Sequence, residues 1–168
     1  MPASYRDTSE PVVISNIHAY LAVATDALAA SKHLEASHRR PKSDGSPGWI
    51  IAYDPIQRSF KQSLIAIVFA GIYLDALLYI VGTQRLGNAA YGKIERREYE
   101  EKLKALEVTD ENTLKACKRF RIARNDIVHE SADKPGPSTH RKLHIAQHEA
   151  EHALAFVAHV SGLLWTRT

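Results

Sequence analysis

The apolar stretch from Leu64 to Val81, interrupted only by Gly71 and Asp75, constrains the fold of this chain more than any other segment. Wound as a helix, it is apolar nearly all the way round. A helix of that kind has to be enclosed by other helices instead of lying on a surface. With Gly71 and Asp75 inside it, the stretch falls short of a membrane span and fits a buried central helix. The chain can supply the enclosure: it has 168 residues, 45% of them apolar, enough for one domain with a real core.

The neighbours of that helix are legible in the same way. No run alternates with period two, so the chain reads as almost entirely helical. Pro11 after Ser9 and Glu10 is a helix start, and a first helix is expected over 11–37. The first ten residues are polar and read as a flexible N-terminus with no signal peptide. Residues 39–53 contain Pro41, Gly45, Pro47 and Gly48 and predict a mobile loop. Asp54-Pro55 is the expected opening of the central helix, and Gly82 its expected C-cap. A second loop is expected over 87–92, then a short charged helix over 93–106 with Leu103 and Leu106 facing inward. Thr109 or Asp110 caps a further helix. Asp133 to Pro137 is a break, and a last helix follows over 138–165. In that helix Leu143, Ala146, Ala150, Ala153, Val157, Val160 and Leu164 alternate three- and four-residue steps, a packed bundle face. The fold class is therefore all-α: one domain over 1–168, an antiparallel up-and-down bundle of four long helices plus one short helix.

The chemistry concentrates late in the chain. Lys115, Lys118, Arg119, Arg121 and Arg124 lie within ten residues that contain no acid. With Phe120, Ala123 and Ile127 turned to the core, the cations are confined to the remaining arc. There they sum to a positive potential that attracts polyanions, as does the net charge of +3. The stretch ends in Arg124-Asn125-Asp126-Ile127-Val128-His129: a permanent cation, an amide and an imidazole within two turns. Asn125 and His129 share a face, whereas Arg124 is about 140° from His129 on a regular helix. The two can address one substrate only if the helix relaxes near His129 or a second copy completes the site. The bland alternative is a buried histidine at a helix end, with Arg124 paired to Asp126 or Glu130.

Arg124-Asn125-x-x-x-His129 resembles the Arg-polar-x-x-x-His signature of HEPN-domain proteins, and it stands on the penultimate long helix, where that family carries it. The resemblance implies a dimeric, metal-independent endoribonuclease with no cofactor. Arg124, Asn125 and His129 would be catalytic, with Asp75 orienting Arg124, and Lys115, Lys118, Arg119 and Arg121 would bind RNA. It further implies a toxin or defence effector with an antitoxin protein as partner; the cytoplasmic location expected for it rests on the lack of a signal peptide and of a membrane span. The alternative is a non-catalytic HEPN module that binds nucleotide, RNA or a protein. The motif continues as His129-Glu130-Ser131, where family toxins neutralised by a nucleotidyltransferase carry His-x-Tyr; no tyrosine stands in place for that modification.

A rival motif, His148-Glu149-x-x-His152, matches the zinc-peptidase pattern and would make the chain a zinc-dependent hydrolase. No acid follows His152 to serve as a third ligand. Numbered on the seam of the last helix, His144, His148 and His152 face away from the core, as a solvated stripe or a partner surface. The site is therefore read without a metal. Cys117, the single cysteine, reads as a small packed hydrophobe. Tyr73, Tyr79 and Trp165 read as core or bundle-end residues in place of base-stacking platforms. Arg39, Arg40, Lys42 and Trp49 belong to a connector.

Overall fold

The computed structural model describes residues 16–37, 39–51, 56–128 and 139–166, and among these the fold is all-α. Four long helices form it: α1 (Ile17–Ser37), α2 (Arg58–Leu86), α5 (Glu111–Val128) and α6 (Thr139–Trp165). Two short helices, α3 (Asn88–Gly92) and α4 (Tyr99–Ala105), lie between α2 and α5. A small antiparallel ribbon, β1 (Arg39–Pro41) and β2 (Trp49–Ile51), joins α1 to α2.

Side-chain contacts give the directions. The Tyr20 and Phe69 rings meet tilted at 6.4 Å, and Ser31 bonds Ser59 O and Ser63 Oγ at 3.0 and 2.9 Å, so α1 and α2 are antiparallel. Thr113 meets His159 and Phe120 meets Phe156, so α5 and α6 are antiparallel. Tyr73 meets Ser161 at 2.7 Å and Arg85 reaches Leu164 O, so α2 and α6 run parallel, side by side. Consecutive long helices thus alternate up and down, with α2 in the middle.

The periodicity of each helix explains its packing. On α1 the buried set is Ile17, Ala24, Ala27 and Ser31, a narrow stripe of mostly small residues that lets α2 approach closely. On α6 Ala146, Ala150, Ala153, Val157, Val160 and Leu164 are all buried, the seam expected from the sequence. On α5 it is Thr113, Cys117 and Phe120. Tyr99, Phe120 and Phe156 pack ring to ring in tilted pairs, with centroids 6.1 and 5.4 Å apart, and tie α4, α5 and α6 together. Leu103 and Leu106 are buried, as their spacing implied.

Several expectations are corrected. Residues 39–53 do not read as a plain loop: 39–41 pair with 49–51, closed by Asp44, whose Oδ1 accepts from Ser46 N and Oγ. The expected cap Asp54-Pro55 lies outside the described residues, and α2 begins at Arg58 after Gln57. Gly82 does not end α2. The helix continues to Leu86 and stops at Gly87, because Gly82 is the notch into which the Tyr91 ring packs; a Cβ there would overlap ring carbons. That packing also makes 88–92 a helical turn where a loop was expected, and the expected helix over 93–106 is shortened to 99–105. Finally, α2 is long and apolar enough to cross a membrane, contrary to the sequence reading, and half of its most apolar window is buried in the bundle.

Buried ionisable groups give the bundle a pH limit. Burial, with the charges of Glu95 and Asp75, pushes the Tyr91 phenol up from 10.0 to about 12. The Tyr99 phenol is raised by burial and then by Asp75, and the Cys117 thiol by burial and then by Glu100. The folded state therefore holds these protons more tightly than the unfolded chain. Their contribution is complete below the ordinary thiol and phenol values of 9.0 and 10.0 and is lost as pH climbs through the raised ones. The urea midpoint is expected to fall between about pH 9 and 12, and to fall less steeply in Tyr99→Phe. A flat midpoint across that window would contradict this account.

Candidate functional site

The site forms where the end of α5 crosses α2. Arg124 lies across Gly71 so closely that a Cβ on Gly71 would overlap its Nε and Cδ. One turn along α2, Asp75 Oδ2 stands 3.5 Å from Arg124 Nη2, and the same oxygen accepts a 3.0 Å hydrogen bond from Tyr99 Oη. Gly71 and Asp75 are four residues apart and share a face of α2. Gly71 supplies space and Asp75 charge. Tyr99, buried on α4, fixes the carboxylate.

The ion pair is long and partly exposed, with 28% of the Arg124 side chain and 45% of the Asp75 side chain accessible. Pairs of this kind stabilise a fold by about 1 kcal/mol or less. Arg124 Nε is also buried without a hydrogen-bond partner among the described residues, an arrangement that costs about 1–3 kcal/mol. A seat that strands a donor beside a weak ion pair does little for stability. It does leave a guanidinium seated over Gly71 with part of its surface open, and a placed, accessible guanidinium is what recognition of a phosphate requires.

The remaining motif residues are placed less completely. Asn125 is exposed on α5. His129 lies outside the described residues; α5 is helical through Val128. Asp126 is exposed, and the arginine's acidic neighbour is Asp75 of α2, with no ion pair to Asp126 among the described residues.

The basic stretch is more nearly neutral than its sequence implies. Arg121 pairs with Glu98 at 2.9 Å and Glu100 at 3.2 Å, and hydrogen bonding to Glu100 raises its affinity for its proton. Arg119 grips Glu149 with Nε and Nη2 at 3.1 and 2.7 Å. Lys115 pairs with Glu111 one turn away, and Lys118 is exposed. The stretch itself contains no acid, so its partners had to come from other elements: α4 and its entry, the first turn of α5, and α6.

The rival motif is placed on α6 with His148 and His152 exposed and stacked at 5.7 Å; the side chain of His144 lies outside the described ones. Glu149, the base that motif needs, is committed to the Arg119 fork, and no group of three or more metal-ligating side chains gathers among the described residues. Glu149, His152 and His159 instead border a groove of about 610 Å³ between α5 and α6, floored by Phe120 and Phe156. In it Asp110 Oδ2 accepts from Thr113 N and Oγ1, which caps α5 and holds the Asp110 carboxyl below its usual range. Thr113 Oγ1 is 3.1 Å from His159 Nε2.

Cys117 is fully buried, its Sγ 3.9 Å from Glu100. Tyr73 is a core residue, as read. Tyr79 is not: it is 51% exposed on the same face of α2 as Asp75. Three components of the site escaped the sequence reading, namely the Gly71 seat, the Tyr99 bond to Asp75 and the exposure of Tyr79. A glycine and an acid one turn apart in an otherwise apolar helix were the available signal for the first.

Comparison with protein families, curated proteins and solved structures gives no match for this chain.

Proposed function

We propose that the chain is a HEPN-type, metal-independent endoribonuclease that cleaves RNA by 2′-hydroxyl attack. The observation that carries the reading is the seat of Arg124: a partly exposed guanidinium placed by Gly71 and Asp75 at the end of α5. In this scheme Arg124 holds the phosphate through two N–H groups and offsets the charge that builds on its equatorial oxygens. His129 takes the proton from the 2′-hydroxyl, for which an imidazole titrating near neutrality is suited. The 2′-oxygen attacks phosphorus and the 5′-oxygen leaves, taking a proton from solvent. The products are a cyclic phosphate and a 5′-hydroxyl end. Asn125 orients a phosphate oxygen or the imidazole, and Lys118 adds charge along the strand. The working form is a cytoplasmic homodimer whose second motif completes the cleft, held in check by an antitoxin protein.

The test is cleavage of labelled RNA in excess EDTA. The wild type is expected to cleave, and His129→Ala to lose about 10²- to 10⁴-fold of that activity. Cleavage abolished by EDTA and by His148→Ala would transfer the activity to the zinc motif on α6.

A second reading is a HEPN module that binds a nucleotide, RNA or protein partner without cleaving it; the pairing of Arg119, Arg121 and Lys115 leaves little of the basic arc free to track a long polyanion and favours a short nucleotide or a protein among these. Retention of RNA without cleavage, at low salt, supports this second reading.

A further inference from the structure

Tyr79 is the exposed aromatic nearest the Arg124 seat along α2. Gly71, Asp75 and Tyr79 follow one another at four-residue spacing, so the face that holds the guanidinium continues directly to the phenol ring. From Asp75 to Tyr79 is four residues, about 6 Å along the axis. That is the scale on which a ribose separates a phosphate from its base.

The ring is also prepared for stacking. Tyr79 meets the buried Tyr91 at 5.8 Å with the planes 82° apart. Tyr91 is itself locked into the Gly82 notch, with 2% of its surface accessible. An edge-to-face contact braces the Tyr79 ring and leaves at least one of its faces uncovered by Tyr91. A large aromatic braced by its neighbour and left 51% exposed gives up apolar burial with no return in stability. It suits a stacking platform, because every base offers a π-face and stacking on an aromatic side chain contributes about 1–3 kcal/mol.

We propose that Tyr79 stacks the base of the nucleotide whose phosphate Arg124 holds, which makes the Gly71–Asp75–Tyr79 face of α2 a nucleotide subsite. The assignment rests on Arg124 as the phosphate holder, and its test is chosen so that the two can fail separately.

The probes are adenosine 5′-monophosphate, which carries a base, and ribose 5-phosphate, which does not. Each is titrated calorimetrically into the full chain. The wild type is expected to bind adenosine 5′-monophosphate about tenfold or more tightly than ribose 5-phosphate. Tyr79→Ala is expected to erase that difference and Tyr79→Phe to keep it, while ribose 5-phosphate binds all three alike. Equal affinity for the two probes in the wild type overturns the stacking assignment and leaves the Arg124 reading intact. No binding of either probe overturns both. Adenosine 5′-monophosphate binding that depends on Tyr79, in a chain that does not cleave RNA, keeps the subsite and removes only the nuclease step. A Tyr79→Ala chain that changes its sedimentation but not its nucleotide affinity also overturns the assignment, in favour of a contact between chains.

Discussion

A Gly71→Ala chain is expected to fold like the wild type and to lose its hold on Arg124. The added methyl would occupy the space of Arg124 Nε and Cδ. These atoms belong to a flexible side chain, so the guanidinium swings away and the helices keep their positions. On stability the change is close to neutral. Alanine is favoured over glycine within a helix by about 1 kcal/mol, and the ion pair given up contributes no more than that. On function it is large, because the phosphate-holding donors leave the place where charge develops. Loss of one such preorganised donor lowers kcat by about 10²- to 10³-fold. The measurements are RNA cleavage in EDTA, affinity for adenosine 5′-monophosphate, and the helical circular dichroism signal. Full cleavage and full affinity in this variant would remove Arg124 from the site.

Leu74→Ala, three residues further along the same helix, is expected to do the reverse. Leu74 is fully buried at the centre of α2 within the shared core. Removing its branched end leaves a cavity among packed side chains, with a loss of about 2–5 kcal/mol. For a chain of this size that corresponds to a melting temperature lower by about 4–20 °C. Below the new midpoint the Arg124 seat is untouched, so cleavage per folded molecule is expected to persist. Urea denaturation followed by circular dichroism measures the loss, and a shift under about 1 kcal/mol would mean that the core can collapse around the gap. Together the two substitutions separate the structural face of α2 from the face that holds the site.

How much of this could be read beforehand follows from what each residue contacts. The α6 seam was legible because core-facing residues on a helix recur at fixed spacing, and Ala146 to Leu164 obey it throughout. The central place of α2 was legible because an apolar circumference calls for cover, although only half of its most apolar window is buried. The end of α2 was misread because Gly82 resembles a cap in sequence, whereas its role is set by Tyr91, a residue nine positions later that needs a notch. The charge of the α5 arc was misread for a related reason: Arg119 and Arg121 find Glu149, Glu98 and Glu100 on other elements. Tyr79 was read as a core or bundle-end residue, yet it is 51% exposed on the face of α2 that carries Asp75.

The sequence by itself determined the helical class, the central place of α2 and the residue types available for chemistry, because periodicity and composition are properties of a single strand of chain. Only the tertiary structure decided which cation is held, by what, and which aromatic stays exposed. Arg124 meets Asp75 across a separation of 49 positions in the chain, and no local pattern encodes a contact made when α5 crosses α2 over Gly71.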